Sequence, residues 1–374
     1  MDLDLTMEDY IDESMQKGKL NSCRLYMSCG KDKKKFEAVV KRITDARRLI
    51  VLHGNCQTHA LKNMLCSNEE FRSKYIICET PRLWVRQDEE QWKLFFDSGI
   101  LAMIDYLFSQ QITKDNGWAS NMSTEYFISQ LSTKCSIIMI SNLYFTGYFP
   151  QLILTHMRDK VGFFRGKITW LDDAASVDKE ILRLMLEDLG GGCYRTVEEI
   201  VQTISADDYY QQNELRKNIE SELNNFEIRE ENVELKMCDY LRENYDKYLM
   251  FVTNVHPTRR VLEELAKRIL KRLYIVDLKI AGNKDEIQYP MPSGNRFVIY
   301  PSVLKAFHFP EIEYVLTVEL QGEELLFLKG IETVLDKFIE DHRNDGRKHK
   351  KTLNLNFRQY MLFSARVIQA AIHT

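Results

Sequence analysis

A cysteine between a short apolar run and an amphipathic one is the first residue of this chain placed to do chemistry. Leu49 to Leu52 has the length and β-branching of a buried strand, and Gly54 admits a sharp turn. From Thr58 onward Ala60, Leu61, Met64 and Leu65 recur at helical spacing, and Cys56 stands at the junction. The unpaired N–H groups and positive dipole end of a helix favour a thiolate or a bound anion there, which predicts a lowered thiol pKa. The competing reading is a buried structural thiol, since free cysteine is among the most buried residue types. His256, in Asn254-Val255-His256-Pro257 ahead of a predicted helix with Thr258 as N-cap, is either a general base or a brace for its own turn. Asn142 and Gln57 offer side-chain amides, and Cys56 and Gln57 offer backbone N–H groups, to an oxyanion hole. Asn142 serves equally to fix the loop from Tyr144 to Pro150 by local hydrogen bonds. His53, inside the strand end, reads as a core histidine. It flanks Cys56 together with His59, but a strand end and a position one turn into a helix do not converge on one ion, so no metal site is expected.

The elements that must position these groups follow from periodicity. Lys74 to Glu79 is a second strand candidate, ended by Thr80-Pro81, and Glu89 to Phe96 is helical. Gly99 to Gln110 reads as a helix end feeding a strand, and Lys134 to Asn142 is a further buried strand. Strands alternating with helices imply βαβ units, hence an α/β fold with a small, mainly parallel sheet and flanking helices. Ligands gather at the carboxyl ends of such strands, which singles out Cys56, Glu79 to Arg82, Gln110 and the segment from Asn142 to Pro150. Residues 178–189, 197–204 and 207–245 carry helical patterns, with Thr196 and Glu199 spaced for a capping box. Met250 to Thr253 is a strand candidate, and Arg260 to Leu273 an amphipathic helix. Residues 282–310 hold Pro290, Pro292, Pro301 and Pro310, the mark of a long ordered loop. The tail from Gly322 returns to helix, with Arg347-Lys348-His349-Lys350-Lys351 read as a solvated basic run. The expected organisation is a charged helical extension over 1–45, an α/β domain over 46–310 with a helical insertion at about 151–245, and a helical extension over 311–374.

The totals exclude several classes. With 51 basic and 55 acidic side chains in 374 residues, the formal charge of -4 selects no polyanion, and no nucleic acid partner is expected. The acidic start, Met1-Asp2-Leu3-Asp4, is unlike a secretory signal, and no run approaches the ~20 apolar residues of a membrane span. Eight cysteines without a Cys-x-x-Cys pair suit reduced thiols, so a cytoplasmic location is expected.

Three separated stretches together resemble the capsular-polysaccharide biosynthesis family typified by WcbI: Gly54-Asn55-Cys56-Gln57 after an apolar strand, Ile140 to Pro150, and Phe251 to Thr258 before a helix. Asp105 to Gln110 and Tyr300-Pro301-Ser302-Val303 add to the likeness, which spans roughly residues 48 to 310. The resemblance implies a coenzyme A-binding O-acetyltransferase acting on a sugar or sugar intermediate of a bacterial capsule or surface polysaccharide, with acetyl-CoA as co-substrate. Its site is similar to that of Ser-Gly-Asn-His hydrolases, with cysteine in place of the nucleophilic serine. The motif residues Cys56 and His256 are its candidates for catalysis; beside them Gln57, Asn142 and Asn55 are read as oxyanion and substrate-positioning groups, and Gly54, Gln110, Tyr144 and Tyr148 as pocket residues. Arg82, Arg86 and Arg158 carry guanidinium forks suited to the coenzyme's phosphates. The chain departs from the family at Phe149, where members read Gly-Tyr-His-Pro, so that histidine's role does not transfer. The expected partners are a nucleotide-sugar or polysaccharide intermediate and, peripherally, a membrane-bound polysaccharide assembly system. Two alternatives stand beside this: an esterase or thioesterase-like hydrolase using the same residues, and a non-catalytic assembly protein.

Overall fold

The structure, a computed structural model, describes residues 22–23, 47–81, 83, 89–113, 122–154, 176–191, 195–281, 298–310, 316–321 and 350–355, with a few single positions between 358 and 365. The chain divides into two compact units, one of 1–144, 223–245 and 255–292, the other of 145–222, 246–254 and 293–374.

The first unit is built on a parallel sheet. Its strands are β1 (Ser22–Cys23), β2 (Arg48–His53), β3 (Tyr75–Cys78), β4 (Tyr106–Ser109) and β5 (Ser136–Met139), in the order β1-β3-β2-β4-β5. From β2 the chain crosses to β3 through α1 (Gln57–Ser67) and α2 (Glu69–Lys74). It then reverses past β2 to β4 by way of α3 (Glu89–Asp97), and reaches β5 through α4 (Thr124–Ser129). Right-handed crossovers running in opposite directions put α1 and α3 on opposite faces, and the carboxyl ends of β2 and β4 meet where the direction switches. Side-chain alternation agrees: Leu49, Val51 and Leu107 bury into one cluster with Trp92 and Phe95 of α3 and Phe127 of α4. On the other side α9 (Arg259–Arg272) packs against α1. α1 buries Ala60, Leu61, Met64 and Leu65, and α9 buries Val261, Leu262, Leu265, Ala266, Ile269 and Leu270. Each such leucine contributes about 2 kcal/mol by leaving water, which anchors the start of α1 to the sheet.

In the second unit β6 (Leu152–Leu154) and β7 (Ser176–Asp178) pair antiparallel. α5 (Lys179–Gly191) and α6 (Val197–Ile204) follow, the latter opened by the expected Thr196–Glu199 capping box. Phe145, Tyr148, Phe149, Ile181, Ile200, Ile204, Tyr300 and Phe307 make its core.

Several expectations change. The 207–245 helix is two helices, α7 (Gln212–Arg229) and α8 (Cys238–Asn244). The break is fixed by Glu230, whose buried carboxylate accepts the N–H groups of Met237 and Cys238 at 2.7 and 2.9 Å. The 282–310 loop contains a helix, α10 (Pro301–Ala306), with proline preset for the first turn. The tail is not all helix, since β9 (Leu316–Gln321) pairs antiparallel with β10 (Lys350–Leu355), which takes up Lys350 and Lys351 of the basic run. The segment before residue 45 is not wholly helical either, because Ser22 and Cys23 pair with Ile77 and Cys78. β5 stops at Met139, short of Asn142, where Ile140 bridges to Leu235. The expected strands at Phe251–Thr253 and before Gln110 are present, the former as β8.

Candidate active site

The turn after β2 places Cys56 at the switch point. Cys56 occupies the N-cap of α1 in a helical conformation (φ -54°, ψ -21°) and makes no side-chain cap bond. Its Sγ lies 3.4 Å from His256 Nε2, across 200 residues of sequence. The Pro257-Thr258 step then leads into α9.

The turn is held by a set of amides. Asn55 N–H donates to Gln110 Oε1 at 2.8 Å, and Gln57 N–H donates to Asn55 Oδ1 at 3.0 Å. Asn55 Nδ2 donates to Asn142 Oδ1 at 3.0 Å, so the two asparagines form a pair at the exposed rim. Gln110 is buried at the end of β4, and its Nε2 donates to Gln57 Oε1 at 2.8 Å and to the Ser141 carbonyl at 3.5 Å. Gly54 is required by close approach, since a Cβ there would lie 2.3 Å from Gln110 Oε1 and 2.9 Å from Thr58 Cγ2.

Gln57 does not offer the donors expected of it. Its Nε2 donates to the carbonyls of Leu143 (2.8 Å) and Val255 (2.7 Å), while Oε1 also accepts Leu143 N–H at 3.2 Å. Both side-chain N–H bonds and the backbone N–H are therefore committed within the fold, and an oxyanion is left with Cys56 N–H and the Asn55 and Asn142 amides.

The electrostatics also correct the sequence reading. Burial pushes the Cys56 thiol up to about 11, against the opposing pull of the Cys56 and Gln57 N–H groups. The helix end favours a thiolate, but desolvation outweighs that pull. Burial likewise pushes His256 down to about 4. At neutral pH the pair is a thiol facing a neutral imidazole, so a proton can move only as a new bond forms to sulfur.

The remaining sequence candidates separate. Tyr144 donates its N–H to the Asn142 carbonyl at 2.9 Å, and the Arg229 guanidinium donates to the Tyr144 carbonyl at 2.7 Å and lies 5.4 Å from its ring centroid. Tyr148 is a packing residue of the second unit, buried against Phe145, Phe307 and Phe309, with its hydroxyl donating to the Tyr248 carbonyl at 3.3 Å. Phe149, the departure from the family pattern, is buried in that unit. Arg82, Arg86 and Arg158 lie outside the described residues. His53 is a core histidine, stacked on Phe127 at 4.5 Å with Trp92 edge-on at 6.2 Å. Among the described residues, no three His, Cys, Asp or Glu side chains are grouped to hold a metal ion, and no helix is long and apolar enough to cross a membrane.

Sequence reasoning missed Thr124, whose hydroxyl donates to the Gln110 carbonyl at 2.7 Å and accepts Ile112 N–H at 2.9 Å, and it missed Arg229. Both act on backbone carbonyls, which leave no pattern in a sequence.

No curated protein matches the chain. A solved structure described as "Structural insights into WcbI, a novel polysaccharide biosynthesis enzyme", a native form without a disulfide bond between CoA and a cysteine of that protein, shares the fold. The two superpose with a TM-score of 0.59 at 16% identity, over 86% of this chain and 90% of that one. Residues 49–277, which contain Cys56, Gln57, Gln110, Asn142 and His256, match the family described as "Polysaccharide biosynthesis enzyme WcbI". The chain belongs to the WcbI polysaccharide biosynthesis enzyme family.

Proposed function

We propose that this protein is a CoA-dependent O-acetyltransferase that moves an acetyl group to a sugar hydroxyl during assembly of a bacterial capsule or surface polysaccharide. The carrying observation is the 3.4 Å approach of the Cys56 sulfur to His256 Nε2 at the sheet's switch point. The family and the CoA named for the structural relative support the choice of thioester donor.

Cys56 is the nucleophile. Its sulfur attacks the thioester carbonyl carbon as His256 Nε2 takes the thiol proton. The oxygen that gains charge meets Cys56 N–H and the Asn55 and Asn142 amides. The bond from that carbon to the coenzyme sulfur breaks, and His256 gives its proton to the departing thiolate. A sugar hydroxyl then attacks acyl-Cys56, His256 takes the hydroxyl proton, and the proton returns to Cys56 as the ester leaves. A thiol is the better proton donor to so weak a base than an alcohol is, which favours acylation of Cys56 over direct attack by the sugar. The protein would act in the cytoplasm, beside a membrane-bound assembly system that presents the acceptor.

Intact-protein mass spectrometry after acetyl-CoA tests this: the wild-type chain gains one acetyl group and Cys56→Ser gains none. Transfer preserved in Cys56→Ser without acylation would refute the covalent route. Release of acetate with no acceptor sugar present would favour the hydrolase, and absence of CoA binding in a calorimetric titration would end the acetyltransferase reading.

A further inference from the structure

We propose that Gln57 is the positioning residue of this site, its carboxamide setting the reach of His256 to Cys56 and the aim of Asn142. The inference rests on the acyl-transfer reading only for the use made of the pair.

Three chain segments that meet at the site are tied by this one buried side chain. Val255, whose carbonyl accepts from Gln57 Nε2 at 2.7 Å, is the residue before His256. Leu143, bonded through its carbonyl at 2.8 Å and its N–H at 3.2 Å, is the residue after Asn142. Gln57 itself follows Cys56 and lies in the first turn of α1. The carboxamide is oriented from behind by Gln110 Nε2 on Oε1 at 2.8 Å, which leaves both N–H bonds aimed at the two carbonyls. No isostere repeats this. A carboxylate at 57 would face two carbonyl oxygens with no donor, and a methionine would fill the volume and bond to none. Without the tie, the loop carrying His256 loses a buried side-chain hydrogen bond to the cysteine turn.

The test is alkylation of Cys56 by iodoacetamide in the full-length chain, with no coenzyme present, followed by peptide mass spectrometry to separate Cys56 from the other thiols. Sulfur displaces iodide and its proton passes to His256. Because His256 is unprotonated above about pH 4, the wild-type rate should stay level through neutral pH and climb only as the thiolate forms toward about 11. Gln57→Met should lower the level region by about tenfold or more, leaving a rate that follows the thiolate alone. In combination with His256→Ala it should be no slower than His256→Ala by itself, since it acts through that residue. A level region kept in folded Gln57→Met, losses that multiply in the double variant, or no level region in the wild type would each overturn the inference. Circular dichroism establishes folding. If Gln57→Met does not fold, Gln110→Met, which removes the donor that orients the carboxamide, must show a smaller loss in the same pH range, and a wild-type profile would overturn the proposal. An intact level region in a chain that never accepts acetyl from acetyl-CoA would count against the acetyltransferase and leave Gln57 in place.

Discussion

Replacing His53 with phenylalanine should make the protein resistant to acid, with a size that the structure sets. The His53 ring is fully buried and stacked on Phe127. Burial lowers it from 6.5 to about 4, with the Met122 backbone opposing weakly. Its folded pKa lies below its unfolded one, so above 6.5 both states are neutral and the group has no pH-dependent effect. As pH falls from 6.5 toward 4 the unfolded chain binds the proton first, and stability is lost across that window. At about pH 4.5 the loss from this residue comes to about 2–3 kcal/mol. His53→Phe keeps the stack and removes the titration. Urea unfolding of both chains at about pH 7.5 and about pH 4.5 should therefore show the variant's advantage growing by about 2–3 kcal/mol on acidification. An equal difference at both pH values would mean that His53 holds a proton, or a partner for one, inside the fold, and the reasoning would fail.

Other expectations follow from single contacts. Tyr274 ends α9 at φ 58° with its side chain 83% exposed, while its N–H and that of Ile275 close on Lys271 and Leu270, so Tyr274→Gly should raise stability by about 1 kcal/mol in a thermal melt. Glu230→Gln turns one of two acceptors into a donor facing N–H groups and should lower the urea midpoint by an amount worth about 2 kcal/mol; no change would show that water replaces the carboxylate. Gly54→Ala drives a Cβ into Gln110 and should cost about 1–3 kcal/mol together with loss of the level Cys56 alkylation rate, whereas an unchanged profile would show that the turn has room.

The sheet and the pair at its edge were legible because they rest on local signals. Apolar runs of strand length marked β2, β3 and β5, and a glycine followed by a cysteine and then a helical stripe marked the turn. The geometry of Gln57 was not legible, because its partners are backbone carbonyls 86 and 198 residues away, and a carbonyl belongs to every residue type. The thiol's pKa was misread for a related reason. A helix N-terminus is visible in sequence, but the burial that opposes it depends on packing from segments elsewhere in the chain. Tyr148 shows the same limit, since a tyrosine near a motif and a tyrosine in a core are written alike.

The separation of Cys56 from His256 has a consequence for how the protein is made. The strand and helix that carry Cys56 are complete within the first part of the chain, and local elements of that kind form early, whereas a contact closing 200 residues must wait for the loop between to order. During synthesis Cys56 therefore spends a period as an ordinary thiol with no imidazole beside it. A chain interrupted before Val255 would contain the cysteine, the glycine turn and both asparagines, yet would lack the base and the carbonyl that Gln57 uses to hold it. Reactivity at Cys56 is thus a reporter of completed folding.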